Sequence, residues 1–193
     1  MVQAWIYNAS DPASPRAPHK YTPNRAVPLS TLDSLGVQQW TREQTTSSPD
    51  FVDKIRSQRG YVNTDTVCLS REKLPDYDAT LQKFFTVHMH EDEEIRYLLE
   101  GSGYFDVQAP RKEGEEDEEW IRIALTAGEM IILPAGMYHR FTLDENNFLR
   151  CMRLFKEDPK WTPLNRAPEL EDNQYRRAYV ETYLKPSSSV QAA

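Results

Sequence analysis

His88-Met89-His90-Glu91-Asp92-Glu93-Glu94-Ile95-Arg96-Tyr97, closing on Gly101-Ser102-Gly103, holds two of the chain's four histidines with one residue between them. In an extended strand, residues i and i+2 point to the same face, so His88 and His90 aim two imidazoles at one point. Glu94 has the same parity, but four extended residues would carry it ~13 Å past His90, too far for a shared ion. The chain therefore has to turn through Glu91-Asp92-Glu93, read as a solvated acidic turn, so that Glu94 opens a second strand facing the first. Alternation then puts Glu94, Arg96 and Leu98 on one face and Ile95, Tyr97 and Leu99 on the other. Arg96 looks into the same space as the carboxylate, and an inward charge requires a partner. That partner is either an anion that binds and leaves or a structural salt bridge.

A third histidine follows in Gly128-Glu129-Met130-Ile131-Ile132-Leu133-Pro134-Ala135-Gly136-Met137-Tyr138-His139-Arg140-Phe141. The pattern reads as a turn, a buried strand, a Pro-Ala-Gly turn and another strand, with His139 and Phe141 on one face. Three imidazoles and one carboxylate form a mixed nitrogen and oxygen donor set. Such a set suits borderline first-row ions, Fe(II), Ni(II), Mn(II) or Zn(II), better than a thiolate-seeking or oxygen-only ion.

At 193 residues the chain is long enough for one domain with a sizeable core. The expected organisation is a single domain over 1–185 and a disordered tail over 186–193. Within that domain, 1–83 forms a wrapping segment, 84–156 a barrel core and 157–185 a return. A formal charge of -7 without a basic stripe argues against nucleic acid as partner. Six acids between Glu113 and Glu119 read as a solvated loop. Cys68 and Cys151 cannot build a disulfide framework, so a reducing cytosolic setting is expected, with nuclear presence left open at this size. No basic segment followed by an apolar run opens the chain, and no stretch reaches ~20 apolar residues, so neither export nor membrane spanning is expected. The acidic surface and the tail fit a monomer.

Residues 2–7 read as a strand. Pro12, Pro15, Pro18, Pro23 and Pro28 mark an extended segment wrapping the surface, in which His19 reads as a surface histidine without a role. Ser30 caps a helix through Leu35, stopped by Gly36, and 37–40 form a strand. Ser48-Pro49-Asp50 opens a helix whose apolar stripe is Phe51, Val52 and Ile55. Residues 62–69 form a strand and 76–82 a helix. Short strands then follow closely over 84–90, 94–99, 104–108, 120–126, 130–133, 138–143 and 148–155, which argues for an antiparallel barrel or sandwich. Beyond Lys156, three prolines mark an irregular return, followed by a helix over 173–184.

These residues also match a family pattern. His88-x-His90, Glu94 and Gly101 resemble the first cupin motif, and Gly128, Pro134-x-Gly136 and His139 the second. Gln82 stands where the first motif often begins with glycine, and Leu143 where the second often ends with asparagine; neither is a ligand position. A closer resemblance is to the acireductone dioxygenase family, from residue 1 to about Trp161. It rests on Glu94-Ile95-Arg96-Tyr97, Gly101-Ser102-Gly103-Tyr104-Phe105-Asp106-Val107, Trp120-Ile121-Arg122-Ile123 and Leu133 to Thr142. Met1-Val2-Gln3-Ala4-Trp5 and Met152-Arg153-Leu154-Phe155 are similar to its eukaryotic members. The resemblance implies a mainly β fold, a cupin-type antiparallel β-barrel (double-stranded β-helix or jelly roll) with a few peripheral helices.

It implies, too, an enzyme of methionine salvage that reacts 1,2-dihydroxy-5-(methylthio)pent-1-en-3-one with O2. With one Fe(2+) per chain the family gives 4-methylthio-2-oxobutanoate and formate; with Ni(2+) it gives 3-methylthiopropanoate, formate and carbon monoxide. In that reading His88, His90, Glu94 and His139 are metal ligands, and Arg96 and Arg153 face the anionic enediolate in catalytic roles. Arg96 also binds substrate, and Phe84, sharing strand parity with His88 and His90, and Phe141 wall the methylthioethyl tail. Two other readings stay open at this level: a metal cupin enzyme of different substrate, and a non-catalytic cupin acting as a binding module.

Overall fold

The computed structural model describes residues 2–110, 118–156 and 162–185; most of the acidic stretch and the tail from 186 lie outside the described residues. The elements in order are β1 (Gln3–Ile6), α1 (Leu29–Ser34), β2 (Gln38–Trp40), α2 (Arg42–Thr46), α3 (Phe51–Arg59), β3 (Asn63–Leu69), α4 (Tyr77–Phe85), β4 (His88–Met89) and β5 (Glu94–Gln108). There follow β6 (Trp120–Thr126), β7 (Met130–Leu133), β8 (His139–Leu143), β9 (Leu149–Phe155), β10 (Leu164–Asn165), a 3-10 turn (Pro168–Asp172), α5 (Gln174–Tyr179) and a π turn (Val180–Leu184).

The organising element is β5, a single strand of 15 residues where two were expected. Its first part pairs with β7 (Glu94↔Leu133) and β9, and its second part with β6 and β8 (Val107↔His139). The changeover lies at a register shift between Leu98 and Glu100, beside Gly101. Gly101 is in the left-handed region (φ +76), and a Cβ there would meet the Phe148 carbonyl oxygen at 2.1 Å, so only glycine lets β9 approach. The irregularity bends β5 and inverts its alternation: Glu94, Arg96 and Leu98 face the cavity before it, Phe105 after it.

The expected closed cupin barrel is not what forms. The hydrogen-bonded path is open and branched, and among the described residues β1, β2, β3 and β10 each pair with one neighbour only. A barrel needs every strand paired on both sides. Here the outer edge of β1 is met instead by residues 25–27, through Ile6 N–H to the Arg25 carbonyl and Val27 N–H to the Ala4 carbonyl, both near 2.9 Å. Helices supply a share of the core that a barrel would draw from strands: Leu32, Leu35, Tyr77, Leu81 and Tyr179 pack with Phe105, Val107, Ile121 and Ile123. The fold is mixed α/β around one large open sheet, not mainly β. Alternation in the sequence specifies strands and their faces, but not whether terminal strands meet.

The run Met130-Ile131-Ile132-Leu133 is buried on both faces, and its period-2 alternation divides it. Ile131 and Leu133 join the main core, whereas Met130 and Ile132 join a second cluster with Ile55, Tyr61, Ile95 and Leu154. Several local expectations shift. α1 begins at Leu29 after Pro28, with no side-chain cap, so Ser30 does not cap it. α3 begins at Phe51, and the Ser48 hydroxyl bonds the Asp50 carboxylate instead of a helix amide. α2 was not expected, although Thr41 and Gln44 close a capping box at its start. The last stretch breaks into the 3-10 turn, α5 and the π turn. His19 is buried, stacked on Tyr7 with ring centroids 4.5 Å apart, rather than on the surface.

Candidate metal centre

β4 and β8 are paired with His88 opposite His139, and Glu94 enters from the start of β5. One ligand atom from each of His88, His90, Glu94 and His139 lies within 4.8 Å of all the others. His90 follows β4 directly, and the chain turns at 91–92 as the spacing to Glu94 required. The acids of that turn are not simply solvated. Glu93 accepts from Arg59 at 2.6 Å and from the Tyr61 hydroxyl at 2.8 Å, and Lys156 lies 3.1 Å away.

Two of the imidazoles are fixed by their far nitrogens. His88 Nδ1 lies 2.7 Å from the Thr86 carbonyl and His139 Nδ1 2.9 Å from the Met137 carbonyl. A carbonyl only accepts, so each Nδ1 donates and the neutral ring turns an Nε2 lone pair inward. Backbone acceptors behind ligating histidines are the usual means of orienting them. His139 Nε2 and His90 Nε2 then stand 2.8 and 3.1 Å from Glu94 Oε2. A nitrogen lone pair facing a buried carboxylate is repelled unless a proton or a metal cation lies between them, and a divalent ion among the four side chains meets that demand with the donor types present.

Protonation states agree. Burial pushes His88 down to about 4, so it is neutral at pH 7, the ligating form. Burial alone would neutralise Glu94, but the Arg96 guanidinium beside it holds the carboxyl well below its usual range. Arg96 Nη2 lies 2.9 Å from Glu94 Oε1, and its Nη1 donates to the Ile95 carbonyl at 3.0 Å. The inward arginine thus has a partner within the protein, the cluster's own carboxylate.

Above the cluster is a cavity of about 550 Å³ whose lining is largely apolar. Phe84, Phe141, Arg96 and Arg153 all line it together with His88, His90 and Glu94, while His139 joins the cluster from behind that lining. Phe84 does so for a different reason from the one expected. It sits in the last turn of α4, not in the strand of His88, and packs edge-to-face on Phe141 at 6.2 Å because α4 lies against β8. Arg153 makes a fork with Asp65, Nε to Oδ1 at 2.8 Å and Nη2 to Oδ2 at 2.7 Å. Phe105, 5.0 Å from Phe141, was not foreseen; the inverted alternation past Gly101 hides it from any count started at Glu94. Cys151 and Lys83, also in the lining, carry no sequence signal of their own.

A family model described as the ARD/ARD′ family matches residues 3–163. The chain belongs to this family. Among similar members, acireductone dioxygenase of Rattus norvegicus is 46% identical over 170 residues, covering 88% of this chain and 91% of the rat protein. Acireductone dioxygenase 2 of Oryza sativa subsp. indica is 44% identical over 182 residues, covering 94% and 87%. The solved structure of acireductone dioxygenase from Bacillus anthracis, with cadmium ion in its active center, superposes with a TM-score of 0.61. It covers 85% of this chain and 98% of that one at 20% identity, a likeness of fold. The match to the ARD/ARD′ model ends before β10 and α5, which nevertheless pair with the strand of His88 and bond the turn before His139.

Proposed function

We propose that this chain is an acireductone dioxygenase of methionine salvage, with His88, His90, Glu94 and His139 as ligands of one Fe(2+) or Ni(2+). The observation that carries the reading is the convergence of these four side chains, three of them lining an apolar-walled cavity, in a chain of this family. The substrate is 1,2-dihydroxy-5-(methylthio)pent-1-en-3-one, a bidentate enediol with a thioether tail. When bound, the ion supplies a Lewis-acidic template for the two enediolate oxygens.

The chain's own groups divide the remaining work. Glu94, held ionised, offsets part of the ion's charge. Arg96 already aims one guanidinium edge at Glu94 and lies along the cavity wall, placed to balance a substrate anion. Phe84, Phe105 and Phe141 offer rings against which the methylthioethyl tail packs and from which water is excluded. Arg153, tied to Asp65, presents a fixed positive charge at the same space. Cys68 and Cys151, both free thiols, fit work in a reducing compartment such as the cytosol.

The test is to strip the protein, reload separate halves with iron and nickel, and supply acireductone and oxygen. Iron-loaded protein should yield 4-methylthio-2-oxobutanoate and formate without carbon monoxide. Nickel-loaded protein should yield 3-methylthiopropanoate, formate and carbon monoxide. Identical products from both halves would remove the dual chemistry. Decay no faster than that of an enediol lacking the thioether tail would remove the substrate.

Arg96 gives a second check. Arg96→Ala should keep the fold and lose about 10²–10³-fold in kcat/KM, the usual scale for a preorganised charge near the reacting group. Arg96→Lys should recover part of it, because an ammonium cannot reproduce the planar fork. A fall in stability with turnover per folded molecule unchanged would make Arg96 structural.

A further inference from the structure

The return from β10 to α5 meets each segment that carries a histidine of the metal centre. β10 pairs with β4, Asn165 opposite His88, and Arg166 N–H donates to the Val87 carbonyl at 2.9 Å. Asn173 Nδ2 donates to Glu91 Oε1 at 3.1 Å, on the turn just after His90. Arg176 Nη1 donates to the Gly136 carbonyl at 3.2 Å, on the turn that delivers His139, and Gly136 N–H donates in turn to the His90 carbonyl at 2.9 Å. One guanidinium thus braces the turn through which the loops of His90 and His139 are joined.

Arg176 is built for this place. It is 4% exposed on a short helix, an unusual setting for an arginine. Its charge is met by Glu171 Oε2 at 3.2 Å from Nε, by Gln108 Oε1 at 3.4 Å from Nη2, and by the Tyr138 ring at 4.1 Å. Tyr138 is the residue before His139. The fit of helix to turn is close: a Cβ on Gly136, at φ +77, would lie 2.2 Å from the Tyr175 carbonyl oxygen. On the far side, the Tyr179 hydroxyl donates to the Leu35 carbonyl at 3.2 Å, anchoring the helix to the body of the fold.

We propose that residues 164–184 form a clamp on the metal-ligand loops, with Arg176 as its positioning residue, and that the clamp sets how long the bound cation is retained. The inference rests on the metal-centre reading. Loss of an outer partner of a metal ligand typically lowers affinity about 10–100-fold, because the ligand must then be ordered on binding.

Full-length protein is stripped and loaded with Co(II). Release into excess chelator and the visible Co(II) spectrum are then followed at a temperature where circular dichroism shows each variant folded. Arg176→Met should release Co(II) about 10–100-fold faster than wild type and shift the spectrum. Arg176→Lys, which keeps the charge but not the fork, should fall between. Asn173→Ala tests the second contact should Arg176→Met not fold, and it too should release faster. Val2→Ala, a buried truncation beside β1 with β6, β5 and β8 between it and β4, should match wild type. Release at the wild-type rate from the folded Arg176 and Asn173 variants would overturn the clamp, as would equal acceleration in Val2→Ala. Wild-type protein that takes up no Co(II) would instead remove the metal-centre reading, and the clamp with it.

Discussion

Glu94→Gln should empty the metal centre while leaving the fold intact. Glu94 is the one anion in the cluster: Oε1 receives Arg96 at 2.9 Å, and Oε2 faces His139 and His90 at 2.8 and 3.1 Å. The amide has the same shape. Its oxygen can stay on the guanidinium, and its NH2 then points at the inward Nε2 lone pairs. That arrangement satisfies the ring nitrogens that a cation needs and removes the ligand's negative charge at once. Metal affinity should fall by more than the ~10–100-fold cost of losing an outer partner, and turnover should fall in step. A ligand at 100 times its Kd adds about 2.7 kcal/mol to stability. For a chain of this length that is a gap of about 5–10 °C between the holo and apo melting temperatures. Wild type should show the gap; Glu94→Gln should not, while its apo form melts at or above the wild-type apo temperature. Metal analysis per folded chain and paired melts measure both. Undiminished metal content in Glu94→Gln would leave the four-ligand reading without its carboxylate.

Asp106→Ala should cost about 3–5 kcal/mol, the scale for an uncompensated buried charge, and lower the melting temperature by about 6–20 °C. Asp106 stands at the middle of the sheet, opposite Arg122 of β6 and Arg140 of β8. It accepts from Arg122 Nε at 2.7 Å and Nη2 at 2.9 Å, and from Arg140 Nε at 2.9 Å. Asp106 is 1% exposed and Arg122 0%, so removing the carboxylate leaves the Arg122 charge buried without its anion, while Arg140, with 15% of its side chain exposed, keeps some access to water. Arg122 also reaches out of the sheet, donating through Nη1 to the Pro15 and Ala17 carbonyls at 2.9 and 2.5 Å and lying over the Tyr7 and Tyr104 rings. It thereby pins the proline-rich wrapping segment to the sheet. The double change Asp106→Leu with Arg122→Met removes the two fully buried charges of the three and should recover much of the loss. It should not recover all, since the contacts to residues 15 and 17 go too. Denaturant unfolding of the three proteins decides this; a loss under about 1 kcal/mol in Asp106→Ala would mean that water reaches the arginines.

The order of these effects shows where local pattern suffices. His88, His90, Glu94 and His139 were legible because their constraint is local: parity within a strand, one turn of required length, and a Pro-Ala-Gly turn before the third histidine. The strands β6, β7 and β9 were legible through alternation and bounding turns. Phe141 followed from parity with His139. Phe84 reached the cavity by the packing of a helix, so its parity in the sequence was not the cause.

What only the tertiary structure decided has one physical origin, pairing between residues distant in the chain. Whether a sheet closes depends on where its edge strands end up, and no periodicity carries that; the open path from β1 to β10 replaced the barrel. The shift between Leu98 and Glu100 inverts alternation partway along β5, bringing Phe105 to the cavity against any count begun at Glu94. The partners of buried or half-buried charge, Asp106 for Arg122, Asp65 for Arg153 and the Gly136 carbonyl for Arg176, lie 16, 88 and 40 residues away. By itself the sequence determined the donor set, because ligand chemistry is written in residue type and short spacing. Which loops hold those donors still was decided in three dimensions, because a buried polar group takes whichever partner the folded chain brings within reach.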